Sequence, residues 1–148
     1  KRPRHDKIVK DLEKMNVNIN YITDGDIAGA LSVIGDQPKN DIYYSTGGGP
    51  EGVIVAAALS CYGGQIQGRL VLNEEEKVRA KKLGIKDFNK KYNIDDMVKG
   101  DIIFCATGVT SGDLANGVKD LGNEFEVNTF SLHKSQKTIK SVTNIYNK

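Results

Sequence analysis

Three times along this chain, a predicted β-strand leads into a glycine-bearing turn and then into a helix. The three turns contain Gly25, the glycines at residues 47–49, and Gly108. Strands interleaved with helices are typical of layered α/β folds. In such folds, ligands bind at the carboxyl ends of the strands, beside the first turns of the helices that follow. The sequence therefore predicts that one edge of a sheet carries the functional residues.

Hydrophobic periodicity predicts a single α/β domain over residues 1–148, with a layered, mixed or mostly parallel sheet and flanking helices. The predicted strands span residues 17–22, 41–46, 65–72, 101–106, 126–134 and 138–146. The last two are expected to form a hairpin that turns at residues 135–136. The predicted helices span residues 4–15, 26–34, 50–62 and 74–84, with a further short helix ending near Val118.

The composition argues against several classes of function. The chain has 21 Lys and Arg against 19 Asp and Glu, a net charge of +2, whereas nucleic-acid binders concentrate basic charge on one face. The longest strongly apolar stretch, residues 53–59, is far shorter than the roughly 20 residues of a membrane helix. Cys61 and Cys105 lack CxxC spacing, which predicts buried, reduced thiols and a cytoplasmic protein. We therefore expect no nucleic acid and no membrane as a partner.

The turn at residues 47–52 has two chemical interpretations. Gly47, Gly49 and Gly52 satisfy the GxGxxG pattern of dinucleotide-binding proteins, in the required strand–turn–helix context. However, Pro50 removes an amide donor at the start of the helix, and Glu51 places a negative charge where a pyrophosphate would lie. A carboxylate at this position suits a bound cation, or it simply offsets the helix dipole.

Two further clusters place charge beside predicted helices. Asp24 and Asp26 flank Gly25 and could bind a hard cation, accept hydrogen bonds from sugar hydroxyls, or cap the helix. Arg2 and Arg4 lie at the start of the first predicted helix, where they could bind a phosphate or remain a solvated basic tail. Acids, arginines and glycines together favour metal-assisted phosphate chemistry, in which divalent ions activate water and neutralise charge on phosphorus.

Four motifs make the pattern more specific than any one of them alone. They read Arg-Pro-Arg-His-Asp at residues 2–6, Asp-Gly-Asp-Ile-Ala at 24–28, Gly-Gly-Pro-Glu-Gly-Val at 48–53, and Ala-Thr-Gly-Val-Thr-Ser-Gly at 106–112. In this order and at similar spacing, they resemble the C-terminal half of the class II, GlpX-type fructose-1,6-bisphosphatases. The chain departs from the family's usual motifs at Arg2, where Lys is common, and at Gly49, where Ala or Ser is common.

The resemblance implies a lithium-sensitive sugar phosphatase fold and a gluconeogenic enzyme that removes the 1-phosphate of fructose 1,6-bisphosphate with Mn²⁺ or Mg²⁺. It implies that Glu51 binds the metal ion, and it assigns no catalytic residue. The residues that it implies contact the sugar bisphosphate are Arg2, Pro3, Arg4, Asp24, Gly25, Asp26 and Gly48.

The same resemblance assigns the family's remaining metal carboxylates to an N-terminal half that this chain lacks, and the absence of an initial Met agrees with a piece of a longer protein. We therefore expect this chain to supply the substrate-binding side and one metal ligand, to act with its N-terminal half in a homo-oligomer, and to hydrolyse little alone. Two alternatives remain open. One is a dinucleotide-binding module built on residues 47–52, and the other is a structural or oligomerising half without its own ligand.

Overall fold

The computed structural model describes residues 2–22, 25–35 and 37–148 of the chain. Its helices are a 3₁₀ turn at Pro3–His5, α1 at Asp6–Lys14, α2 at Asp26–Leu31, α3 at Gly49–Tyr62, α4 at Glu74–Lys82 and α5 at Ile94–Met97. The helices predicted for residues 4–15, 50–62 and 74–84 are thereby confirmed. None of the described helices is long and apolar enough to cross a lipid bilayer.

The strands of the described residues form two sheets. They are β1 at Gln67–Gly68, β2 at Tyr92–Asn93, β3 at Ile103–Thr107, β4 at Lys119–Asp120, β5 at Glu124–His133 and β6 at Thr138–Asn147. β1 pairs with β2, and the three strands β3, β4 and β6 each pair with β5. β5 and β6 form the predicted hairpin, which is in register from one end of β5 to the other.

All strand pairs in the described residues are antiparallel, so the prediction of a mixed or mostly parallel sheet is wrong for this part of the chain. Residues 17–22 and 41–46 were predicted as strands, but they form no ladder within the described residues. Alternating side chains are compatible with a strand but do not by themselves form one, because a strand also needs a neighbouring backbone with which to exchange hydrogen bonds. The observed fold is a mixed α/β arrangement of helices and antiparallel sheets.

Local sequence signals also overestimated three shorter elements. The helix predicted for residues 26–34 ends at Leu31, and the strand predicted for residues 65–72 is reduced to β1. The short helix predicted to end near Val118 is replaced by a loop, in which the amide of Val118 donates to the carbonyl of Val109 at 3.2 Å. Hydrogen bonds across this loop take the place of the local ones that a helix would need.

The two cysteines are free, and they differ in burial. Cys61 is half-buried on α3, and its burial is the main reason that the pKa of its thiol is raised. Cys105 is exposed on β3, so the prediction that it is buried is wrong. Neighbouring residues of a strand point to opposite faces, and Phe104 takes the position on the core side.

Helix α3 lies at the centre of the hydrophobic core and thereby fixes the position of the residues at its N-terminus. Three of its buried side chains belong to two core clusters. Val55 and Leu59 pack with Ala30, and Ala58 packs with Phe104 and Leu132. The first cluster joins α3 to α2, and the second joins α3 to β3 and β5. Gly63 adopts a left-handed conformation with φ of 74° and ends the helix.

Candidate functional site

The irregular segment at residues 41–48 holds α2 on one side. The hydroxyls of Tyr43 and Ser45 donate hydrogen bonds to Oδ1 of Asp26, at 3.0 and 3.2 Å. The pKa of Tyr43 is raised mainly by burial; the Ser45 hydrogen bond lowers it, and the Asp26 carboxylate raises it further. Tyr43 therefore keeps its proton and donates to Asp26, the first residue of α2.

A buried glycine lets α2 approach this segment closely. A Cβ atom on Gly29 would overlap Cδ1 of Ile22 and would lie 2.7 Å from Cε2 of Tyr43. The absence of a side chain at Gly29 therefore keeps Tyr43 within reach of Asp26.

On its other side, the segment contacts the 3₁₀ turn that precedes α1. The backbone amide of Thr46 donates a hydrogen bond to Nε2 of His5 at 3.1 Å. The edge of the His5 ring also meets the ring of Tyr44, with centroids 6.0 Å apart and planes inclined by 77°. The turn that carries Pro3 and Arg4 is thus tied to the residues that lead into α3.

The segment ends at the first turn of α3, where a carboxylate lies against a glycine. Gly48 is the N-cap of α3, with φ of −70° and ψ of 150°. The carboxylate of Glu51 lies so close that a Cβ atom on Gly48 would overlap its Oε2. An acidic residue in this first turn is favoured by the partial positive charge of the helix N-terminus.

A second carboxylate approaches the same turn from α2. A Cβ atom on Gly47 would lie 3.0 Å from Oδ2 of Asp26, the oxygen that does not accept from Tyr43 or Ser45. The bare backbone of Gly47 and Gly48 is therefore flanked by the carboxylates of Asp26 and Glu51.

Several charges near this turn and near the 3₁₀ turn have no partner of opposite sign among the described residues. Arg2, Arg4 and Glu51 are exposed, and none of them forms an ion pair with another described residue. Guanidinium groups suit phosphate oxygens, whereas a carboxylate suits a divalent cation. The arrangement is therefore able to bind a ligand that carries a phosphate together with a metal ion.

Comparison with known proteins identifies the family. A family profile described as "Bacterial fructose-1,6-bisphosphatase, glpX-encoded" matches residues 1–146. The chain belongs to this family. A fructose-1,6-bisphosphatase class 2 from Haemophilus influenzae is 32% identical over 98% of the chain. The fructose-1,6-bisphosphatase 1 class 2 of Escherichia coli K12 is 31% identical, also over 98% of the chain.

The chain spans about half the length of the curated relatives that it matches. The alignment covers 48% of the H. influenzae protein and 47% of the E. coli K12 protein. Family membership therefore rests on nearly all of this chain, but on less than half of each relative.

The positions expected from resemblance to the bisphosphatases fall mostly around the segment at residues 41–48. Pro3 and Arg4 lie in the 3₁₀ turn, for which Arg2 is the N-cap. Gly25 is the N-cap of α2 and has φ of 87°, a left-handed conformation that glycine adopts readily. Asp26, Gly48 and Glu51 meet at the start of α3, as described above. Asp24 lies outside the described residues.

The carboxylate of Glu51 is chemically suited to one position in a metal site. Its carboxylate is an exposed oxygen donor of the kind that Mn²⁺ and Mg²⁺ prefer. Within the described residues, no three or more His, Cys, Asp and Glu side chains are grouped so that they could hold a metal ion. Glu51 is therefore suited to be one ligand of a metal ion, but the described residues do not supply a full set of ligands.

The same geometry disfavours the dinucleotide interpretation of residues 47–52. A pyrophosphate would approach the free amides at the start of α3. The carboxylate of Glu51 lies against Gly48 at that place, and Pro50 has no amide hydrogen to donate. A pyrophosphate bound there would be repelled by the carboxylate of Glu51 and would lack a hydrogen bond from residue 50.

Sequence analysis missed the residues that hold the site together. In the sequence, Tyr43 and Ser45 are only members of a predicted strand, and that prediction does not identify Asp26 as their hydrogen-bond partner. His5 lies within a recognised motif, but its contact with Thr46 joins residues 41 positions apart in the sequence. No local pattern specifies such a contact.

At the β5–β6 turn, a second cluster has the residue types of a hydrolase triad. It consists of Asp101, His133 and Ser135. His133 Nε2 lies 2.8 Å from Oδ2 of Asp101 and 3.2 Å from Oγ of Ser135, so a single ring nitrogen contacts both groups. A catalytic triad instead uses the two ring nitrogens, one for the acid and one for the serine. Ser135 also donates to Asp101 through its amide and its hydroxyl, at 3.0 and 2.7 Å. The cluster therefore fastens the β5–β6 turn to Asp101, two residues before the start of β3.

Proposed function

We propose that this chain forms the substrate-binding side of a metal-dependent phosphatase that removes the 1-phosphate of fructose 1,6-bisphosphate. The observation that carries this proposal is the convergence of the arginine-bearing 3₁₀ turn, Asp26, Gly48 and Glu51 around one segment of chain. Membership of the bacterial fructose-1,6-bisphosphatase family supports the choice of substrate.

Each group has a chemical task in this proposal. Arg2 and Arg4 bind phosphate oxygens, because a guanidinium group donates two parallel hydrogen bonds to them. Asp24, Gly25 and Asp26 contact the sugar, and Oδ2 of Asp26 is the oxygen left to accept from a hydroxyl. Pro3 and Gly48 line the substrate-binding site, since neither has a long side chain that would occupy the place of the substrate.

Glu51 is the metal ligand that this chain supplies. A bound Mn²⁺ or Mg²⁺ ion would lower the pKa of a water molecule and offset the charge that develops on phosphorus. No residue of this chain is assigned as the general base.

We propose that the rest of the full-length protein completes the site. The shortage of metal ligands supports this, and so do apolar side chains beside the site that remain open to solvent. Before α3, the side chains of Ile42 and Tyr44 are 83% and 56% exposed. On α3, which is apolar on all sides, Val53 and Ile54 are 44% and 42% exposed. A helix of that composition is normally covered on every face.

The wider assignments follow from the same resemblance. We propose a two-part lithium-sensitive sugar phosphatase fold for the full-length protein, a homo-oligomeric cytoplasmic enzyme, and a role in gluconeogenesis. This chain would contribute one of the two parts.

The proposal is tested by assaying phosphate release from fructose 1,6-bisphosphate with Mn²⁺. We expect turnover by the full-length protein and almost none by residues 1–148 alone, because one metal ligand is not a complete site. Robust turnover by residues 1–148 alone would overturn the assignment of a half-site. Stabilisation of the full-length protein by NAD, without turnover, would instead support the dinucleotide alternative.

A further inference from the structure

We infer that His5 is a positioning residue that holds the phosphate-binding arginines against the turn that carries Gly48 and Glu51. This inference rests on the proposed function and assigns a role to a residue that is not among those proposed to contact the sugar bisphosphate or the metal ion. Its basis is the hydrogen bond from the amide of Thr46 to Nε2 of His5, at 3.1 Å.

Both ends of this link are attached to site residues by the backbone. The amide of His5 donates to the carbonyl of Arg2 at 2.9 Å, which closes the 3₁₀ turn around Pro3 and Arg4. Thr46 leads directly through Gly47 into Gly48, the N-cap of α3. A displacement of His5 relative to Thr46 would therefore change the separation of the arginines from Glu51.

The ring of His5 is fixed in a second way. Its edge packs against the ring of Tyr44 with a centroid distance of 6.0 Å, an arrangement that is favourable for aromatic pairs. His5 is half-buried, so the hydrogen bond with Thr46 is partly shielded from competition by water. Two different contacts with one segment restrict both the place and the tilt of the ring.

The same geometry argues against a catalytic role for His5. Because Nε2 accepts from Thr46, that nitrogen is not available to bind a metal ion or to take a proton from water. The proton of the neutral ring then resides on Nδ1. His5 therefore acts through the position of its neighbours.

Two substitutions in the full-length protein separate the hydrogen bond from the ring contact. His5→Phe keeps an aromatic ring against Tyr44 but removes the acceptor, whereas His5→Gln keeps an acceptor at a similar reach. We expect His5→Phe to raise KM for fructose 1,6-bisphosphate about tenfold, with kcat within about threefold of wild type, because phosphate binding is lost equally in the ground and transition states. We expect His5→Gln to restore KM to within about threefold of wild type.

His133→Phe is the matched control, because His133 lies in the cluster with Asp101 and Ser135. It should leave KM unchanged even if it lowers stability. An unchanged KM in His5→Phe would overturn the inference. A large fall in kcat in both His5 variants would also overturn it, since that is the result expected of a catalytic residue.

A measurement on the wild-type protein keeps the inference testable if His5→Phe does not fold. ¹⁵N NMR of the labelled histidines should show His5 in the Nδ1-protonated form, with Nε2 as an acceptor. An Nε2-protonated ring would contradict the inference directly. Failure of the wild-type protein to hydrolyse the bisphosphate would contradict only the proposed function, and the NMR result would still decide whether His5 accepts from Thr46.

Discussion

The carboxylate of Glu51 lies against the backbone of Gly48, so closely that a β-carbon on Gly48 would overlap Oε2. The two residues share the first turn of α3, in which the amide of Gly52 donates to the carbonyl of Gly48 at 3.1 Å. A glycine at this position therefore leaves room for the carboxylate beside the helix N-terminus. In the proposed bisphosphatase, that room is where the metal ligand is held.

Gly48→Ala should weaken metal binding with little effect on stability. The new methyl group would force the Glu51 side chain to rotate away, which we expect to lower Mn²⁺ affinity at least about tenfold. The backbone angles of Gly48 suit alanine, so the free energy of unfolding should fall by less than about 1 kcal/mol. Isothermal titration with Mn²⁺ and urea unfolding of the full-length protein measure the two effects.

Gly49→Ala is the matched control for this substitution. A β-carbon on Gly49 would have no heavy atom within 4 Å, so this variant should bind Mn²⁺ as the wild type does. Equal Mn²⁺ affinities for Gly48→Ala and Gly49→Ala would show that the contact between residues 48 and 51 does not hold the metal ligand.

Gly29→Ala should destabilise the fold and disturb Asp26. The added methyl group would overlap Ile22 and press on the ring of Tyr43, at a cost of about 1–3 kcal/mol of unfolding free energy. Displacement of Tyr43 also removes a hydrogen bond from Asp26, so KM for the sugar bisphosphate should rise. Urea unfolding and steady-state kinetics test both expectations.

A substitution on α3 provides the comparison for Gly29→Ala. A β-carbon on Gly52 would have no heavy atom within 4 Å, so Gly52→Ala should stabilise α3 by up to about 1 kcal/mol. A stability loss in Gly52→Ala as large as that in Gly29→Ala would contradict the explanation from close packing at Gly29.

Elements with strong local signals were predictable from the sequence. The start of α4 carries a capping box, in which the amide of Glu76 donates to Asn73 Oδ1 and the amide of Asn73 donates to Glu76 Oε2, at 2.9 and 2.8 Å. α3 begins near Pro50 and ends before Gly63 as its sequence indicates. The β5–β6 hairpin needs only neighbouring residues. Whether residues 41–46 pair as a strand depends instead on a distant backbone, which the local sequence cannot specify.

The candidate site was only partly predictable for the same reason. The motif around Gly48 and Glu51 is contiguous, so its residue types and spacing indicate chemistry directly. The contacts that assemble the site join Thr46 to His5 and Tyr43 to Asp26, and these pairs are distant in sequence. Their geometry is decided by how the 3₁₀ turn and α2 pack against the segment at residues 41–48.

Stability should depend on pH through the Asp101–His133 pair. The pKa of Asp101 is lowered, first by the hydrogen bond from Ser135 and then by that with His133. The pKa of His133 is raised, mainly by the hydrogen bond with Asp101. Asp101 therefore stabilises the fold above its unfolded-state pKa of about 3.9, and this contribution is lost as the pH falls through its lower folded-state pKa.

The stabilisation that His133 contributes changes with pH in the opposite direction, because its pKa is raised in the folded state. Its stabilisation is complete below its unfolded-state pKa of about 6.5 and is lost as the pH rises through its higher folded-state pKa. The wild type should therefore exceed His133→Gln in stability most clearly between about pH 4 and pH 6.5, and the difference should shrink at about pH 8.5. Urea unfolding of both proteins across this range checks the prediction. A difference that stays constant with pH would contradict it.

The most direct test of the central claim compares Glu51→Gln with Glu75→Gln in the full-length protein. Both glutamates are exposed and lie in the first turn of a helix, but only Glu51 lies at the candidate site. With Mn²⁺ and fructose 1,6-bisphosphate, Glu51→Gln should lose at least about a hundredfold in phosphate release and weaken Mn²⁺ binding, since a carboxylate ligand is removed. Glu75→Gln should retain wild-type rates. Wild-type phosphate release and Mn²⁺ affinity in Glu51→Gln would contradict the account.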